Sequence, residues 1–237
     1  MGPTSIVSTE PARPREVRAG GSSRAGESVD RQLIGGRWLW WSAIGFVVLY
    51  LLAVRTAEGQ RLDQAAMLVI SAAARSSSWA EQTLLAVSAS SMLLATAAVV
   101  VATGLSRGRR QAFVGAVAAG TVVAGAELLK LVLDRPTFLT ATLGNSFPSG
   151  HVAAVAALAV ALMIALPTSL RRPVAVLVAA PAVGLTGLAT IVLLWHRPSD
   201  VVGSVLLAVT VGVLALQISD HSGHADGAPP RRPSGKG

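Results

Sequence analysis

The chain has 237 residues, 52% of them hydrophobic and only 14% charged, with a formal net charge of +8 and no cysteine. Soluble domains carry about 25% charged residues, so this composition excludes an ordinary soluble domain and points to helices apolar enough to cross a bilayer. The positive charge comes without a basic stripe or an aromatic platform, which argues against nucleic acid as a partner, and the lack of cysteine excludes disulfides and thiolate metal sites.

In chain order, residues 1–36 are rich in Arg, Gly, Ser, Pro and Glu and lack apolar periodicity, so they read as a disordered basic tail. No apolar core follows the early arginines, which argues against a cleavable signal peptide. Six spans are predicted, at about 38–54, 83–104, 111–133, 151–167, 173–195 and 201–218. The fourth and sixth are short for a full crossing. Residues 55–82 predict an interfacial helix that is apolar on one side. Residues 220–237 return to tail composition. The fold class expected is all-α: a polytopic membrane domain over residues 37–219.

Lys and Arg set the orientation. Alternate sides of a six-span arrangement receive fourteen and six of them, the larger share including the N-terminal tail, Arg107, Arg109, Arg110, Arg171 and Arg172. Both termini are therefore expected in the cytoplasm of a multi-pass plasma-membrane (inner-membrane) protein. Trp38, Trp40 and Trp41 would lie at the inner interface, and Trp79 and Trp195 at the outer one. Abundant Ala, Val, Arg and Gly point to a bacterial source of high GC content.

Three clusters then share the outer face: "ELLKLVLDRPTF", "FPSGH" and "WHRPSDVV". Lys130 and Arg135 bring positive charge and several donors suited to a phosphate group. Ser149 and Gly150 open a helix whose free N–H groups favour an anion, with glycine allowing close approach. His196 and Asp200 are four apart, so on a helical turn the carboxylate can hold one ring nitrogen and leave the other basic. His151 is then available to protonate a leaving oxygen. The set describes a phosphate-ester hydrolase working through a histidine, with no metal and no cofactor required.

These residues resemble the type-2 phosphatidic acid phosphatase superfamily, the membrane lipid-phosphate phosphatases. Pro148-Ser149-Gly150-His151 matches the family's middle motif in full, and His196 and Asp200 match the His-x-x-x-Asp end of its third. The resemblance covers about residues 38–218. It implies that His196 attacks phosphorus to form a phosphohistidine, that Asp200 orients it and that His151 is the general acid. Lys130, Arg135, Ser149 and Gly150 would hold the phosphate oxygens. Phosphatidic acid, phosphatidylglycerol phosphate and polyprenyl diphosphates are the substrates it implies.

The chain departs from the pattern twice. Four residues separate Lys130 from Arg135-Pro136 where the family usually has six, and Arg135 is expected to take the arginine role through a local shift. The third motif's arginine position is Thr190, and Arg197 is the substitute within reach.

Plainer readings stand beside these. Arg135 and Arg197 can snorkel to headgroups. Glu127 and Lys130 can neutralise each other, and Asp134 can be loop solvation. Asp63 receives no role, and neither do His221 and His224. Rival functions are a catalytically impaired relative that binds or senses lipid phosphates, a lipid phosphoryl transferase, and a transporter using Glu127 and Lys130 as an intramembrane charge site.

Overall fold

The computed structural model describes residues 36–74, 76–138 and 144–222. The N-terminal tail through residue 35, the segment 223–237 with His224, and Arg75 lie outside the described residues. Among the described residues every regular element is a helix: α1 (Gly36–Val54), α2 (Ala57–Ala73), α3 (Ser78–Ala86), α4 (Ala89–Arg107), α5 (Arg109–Val132), α6 (Gly150–Ala165), α7 (Thr168–Val192) and α8 (Pro198–Ser222).

Five of these, α1, α4, α5, α7 and α8, are long and apolar enough to span a membrane. The sixth predicted span, α6, has only 16 residues, about 24 Å at 1.5 Å per residue, less than a hydrocarbon core of about 30 Å. Its surroundings make up for the length. Ala153, Ala156, Ala157, Val160, Ala161 and Ile164 are all buried, so α6 forms the centre of the bundle against α5, α4, α7 and α8. Small residues dominate this core, with Ala118, Ala119 and Ala126 from α5 and Ala208 and Ala215 from α8. Without a large hydrophobic drive between helices in lipid, such residues hold them together by close backbone approach. Large side chains such as Leu94, Leu131 and Leu177 point outward instead.

The second span differs from its prediction of 83–104. The helix breaks at Val87, and Ser88 starts α4 in an extended conformation (φ −78°, ψ 157°), its side chain accepting from the Ser91 N–H. Apolar residues flank the break on both sides, and the local signal is the serine cluster at Ser88, Ser90 and Ser91. The last predicted span is also longer than expected: α8 continues to Ser222, past the predicted start of the C-terminal tail. Asp220 there takes a two-pronged ion pair from Arg171, with contacts of 2.8 and 3.1 Å. Within α7, Pro173 lacks a backbone donor, and a π-helical stretch at Ala175–Ala179 follows it.

The segment 55–82 folds as two helices, α2 and α3. In α2 the inward face is the polar one. Gln60, Asp63 and Met67 are buried, and Ser71 Oγ donates to the Val192 carbonyl at 2.8 Å. Leu62, Leu68 and Val69 face outward. The helix is thus apolar on one side as expected, with its polar stripe turned toward α7 and α8.

Candidate active site

The C-terminal ends of α5 and α7 and the N-terminal ends of α6 and α8 meet at one end of the bundle, and the three sequence clusters lie there. Ser149, extended at φ −70° and ψ 121°, caps α6 by accepting from the Val152 N–H at 3.5 Å. Its own N–H donates to the Asp200 carbonyl at 3.0 Å, and Ser204 Oγ donates to its carbonyl at 2.8 Å. The mouth of α6 is therefore fastened to the first turns of α8.

Gly150 leaves room for two side-chain ends that a Cβ would push aside. A Cβ there would stand 2.7 Å from Glu127 Oε1 and 3.1 Å from Lys130 Nζ, because the Glu127–Lys130 ion pair (2.8 Å) lies directly over the helix start. Gly150→Ala should displace Lys130 from this position. A misplacement of about 1 Å costs on the order of 10²-fold, and a fall of that size in kcat/KM for phosphate release, read by steady-state kinetics, is expected.

His196 is presented by the turn that ends α7. The Trp195 and His196 N–H groups both donate to the Thr190 carbonyl, at 2.9 and 3.2 Å, and Leu194 adopts a left-handed conformation with φ +59°. Asp200, in the first turn of α8, points back at this loop: its Oδ2 accepts from the Arg197 N–H at 2.9 Å and from Ser146 Oγ at 2.5 Å. His196 Nδ1 stands 3.5 Å from that same oxygen, within ion-pair range but not hydrogen-bonded to it, and no hydrogen-bond partner reaches it. The His151 ring lies 6.4 Å from His196, centre to centre, and 5.6 Å from Trp195. The two imidazoles, set at 67° to each other, are close enough to touch one bound group from two sides.

Behind His196 the charges form a buried network. Arg135 donates to Asp200 Oδ1 at 2.9 Å and to Asp63 Oδ2 at 3.2 Å, and its side chain is only 4% exposed. Asp63, from α2, also accepts from the Ser199 N–H at 2.9 Å and from Ser199 Oγ at 2.5 Å. Burial pushes the Asp63 carboxyl above the ordinary range and Asp200 adds to this, while Ser199 and Arg135 pull it back. Arg197 is buried as well. Its Nε donates to Gln64 Oε1 of α2 at 3.1 Å, and its Nη1 has no partner. Burial, then the charge of Arg135, lowers its affinity for the proton.

All eight residues singled out in the sequence meet at this end, but not in one role. His151 faces His196, and Lys130 lies over the Gly150 backbone. The Ser149 side chain is fully buried and caps its own helix. Arg135 and Arg197, expected to grip phosphate, are turned instead to carboxylates and to α2. The shift that brings Arg135 into reach ends on Asp200 and Asp63, which engage its two Nη atoms inside the protein, while its buried Nε has no hydrogen-bond partner. Thr190, at the third-motif arginine position, bonds within its own helix to the Gly187 carbonyl at 2.8 Å and supplies no charge.

Asp63, Ser146, Ser199 and Gln64 were not singled out from the sequence. For α2 the signal was present: polar side chains recur at 60, 63, 64 and 71 along one face of an otherwise apolar segment. Asp134, read as loop solvation, pairs with Arg55 at 3.2 Å, and Tyr50 Oη donates to its carbonyl at 2.8 Å.

Helices long and apolar enough to cross a membrane point to a multi-pass membrane protein, with histidines, carboxylates and a lysine gathered at one end of the bundle. The family described as the PAP2 superfamily matches residues 111–223, the segment that carries all three clusters, and supports assignment to the type-2 phosphatidic acid phosphatase superfamily. The superfamily supports phosphatase activity on phosphate-bearing, lipid-like substrates. Neither a curated protein nor a solved structure matches the chain.

Proposed function

We propose that the protein hydrolyses a lipid phosphate or a polyprenyl diphosphate at the outer face of the membrane through a phosphohistidine on His196. The observation that carries the reading is the alignment of Asp200 Oδ2 behind His196 Nδ1, at 3.5 Å, with His151 facing the same ring. A proton held at Nδ1 by Asp200 leaves Nε2 as the lone-pair nitrogen. Nε2 attacks phosphorus as the bond to the lipid oxygen breaks, and His151 gives that oxygen its proton. His151, now neutral, takes a proton from water, and the hydroxide so formed cleaves the N–P bond to release phosphate. Lys130 and the first N–H groups of α6 favour the phosphate oxygens. The steps route nothing through a metal ion.

A lipid substrate is favoured by the depth of the site, since the residues stand at the ends of membrane-length helices where a headgroup lies. The test is phosphate release by detergent-purified protein, with EDTA present, from phosphatidic acid, phosphatidylglycerol phosphate and a polyprenyl diphosphate. Release from at least one is expected. No release from a folded protein that still binds phospholipid would favour the second reading, a sensor of lipid phosphates. That reading is supported by the uncharged Thr190 and by the engagement of Arg135 with two carboxylates.

A further inference from the structure

Asp63 lies on α2, outside the segment matched by the family, yet its carboxylate is built into the charge network behind His196. Arg135 is shared between two carboxylates, Asp200 at 2.9 Å and Asp63 at 3.2 Å. Asp63 is itself fixed in place by the Ser199 N–H and hydroxyl. Two guanidiniums and two carboxylates thus balance in a region where Arg135 is 4% and Asp200 0% exposed.

We infer that Asp63 is a positioning residue for the proposed hydrolysis: by holding part of the Arg135 charge, it leaves the Asp200 carboxylate free enough to orient and activate His196. The inference rests on the reading of His196 as the nucleophile. With Asp63 present, the guanidinium is divided and Asp200 Oδ2 keeps its pull on Nδ1. With Asp63 neutral, the charge of Arg135 falls wholly on Asp200, the pull on Nδ1 weakens, and the imidazole becomes a poorer nucleophile. The groups facing this unit are His151 on α6, Lys130 and Glu127 on α5, and Arg197 on the loop before α8. The substitution leaves these residues in place, though it also removes from Arg197 a carboxylate charge that acts on it.

The test reads His196 without turnover. Carbethoxylation of His196 by diethyl pyrocarbonate at mildly alkaline pH, followed peptide by peptide by mass spectrometry, reports the nucleophilicity of that ring in the full-length protein. Asp63→Asn is expected to slow labelling of His196 severalfold, and Asp63→Glu to restore it. Loosening of the structure would have the opposite sign, because a more exposed ring reacts faster. Unchanged or faster labelling in Asp63→Asn therefore overturns the inference. Should that variant not fold, Ser199→Ala decides: it keeps the Asp63 charge and removes only a hydrogen bond. Labelling at the wild-type rate supports a charge role, and faster labelling shows that Asp63 merely ties α2 to α8. Because labelling needs no substrate, absence of phosphate release from the wild type is a separate result that sinks the phosphatase reading alone.

Discussion

His196→Ala is expected to reduce phosphate release by about 10³-fold or more while leaving the protein folded, since loss of a covalent nucleophile typically removes most of the chemical rate. The structure supports a clean experiment. No hydrogen bond to His196 Nδ1 would be lost, since the nearest group, Asp200, stands 3.5 Å away, and the turn that carries the ring is built from backbone N–H groups donating to the Thr190 carbonyl. Alanine keeps those bonds. The loss should appear in kcat, with binding of the lipid largely kept, because Lys130 and the start of α6 remain in place. Residual activity close to wild type would remove His196 from the mechanism. Trapping of labelled phosphate on the wild-type protein, with none on the variant, would tie the loss to the covalent step.

Arg135→Met should be the most destabilising single change at this end of the molecule. It strips the shared counter-ion from Asp63 and Asp200, whose side chains are 7% and 0% exposed. Leaving one partner of a buried ion pair uncompensated costs about 3–5 kcal/mol, and here two carboxylates lose the same partner. The expected readout is a correspondingly earlier unfolding midpoint when the detergent-solubilised variant is titrated with SDS. Adding Asp63→Asn to the same chain should return part of the loss, since removing both members of a buried pair is gentler than removing one. An unaltered midpoint for Arg135→Met would mean that the network contributes no net stability.

The helical architecture was legible because hydropathy and charge report directly on burial in lipid. Its details were less so. The break at Val87 depends on the local preference of Ser88 for a capping conformation, a signal present in the serines at 88, 90 and 91 but outweighed in a hydropathy window by the apolar residues on either side. The length of α6 is tolerated because its neighbours bury it, a tertiary fact. In the site, Pro148-Ser149-Gly150-His151 and the His196–Asp200 spacing were readable because each is a short local stretch of chain at the mouth of a helix. The partners of Arg135 were not. Asp63 is 72 positions away along the chain and Asp200 is 65, and no local pattern announces which carboxylate a distant guanidinium will meet. Charge alone placed Arg135 and Arg197 on the phosphate, and packing placed them against α2 and α8.

The anchoring of Asp63 also bears on how such proteins can be recombined. The segment that defines the family begins at residue 111, so a piece cut to that boundary would keep every motif residue and still lose one of the two anions that balance two enclosed cations. A helix exchanged between relatives at α2 would have to bring its own answer to Arg135, Ser199 and Arg197. The heritable unit of this active site is therefore larger than its signature, and its border runs through a helix that carries no motif at all.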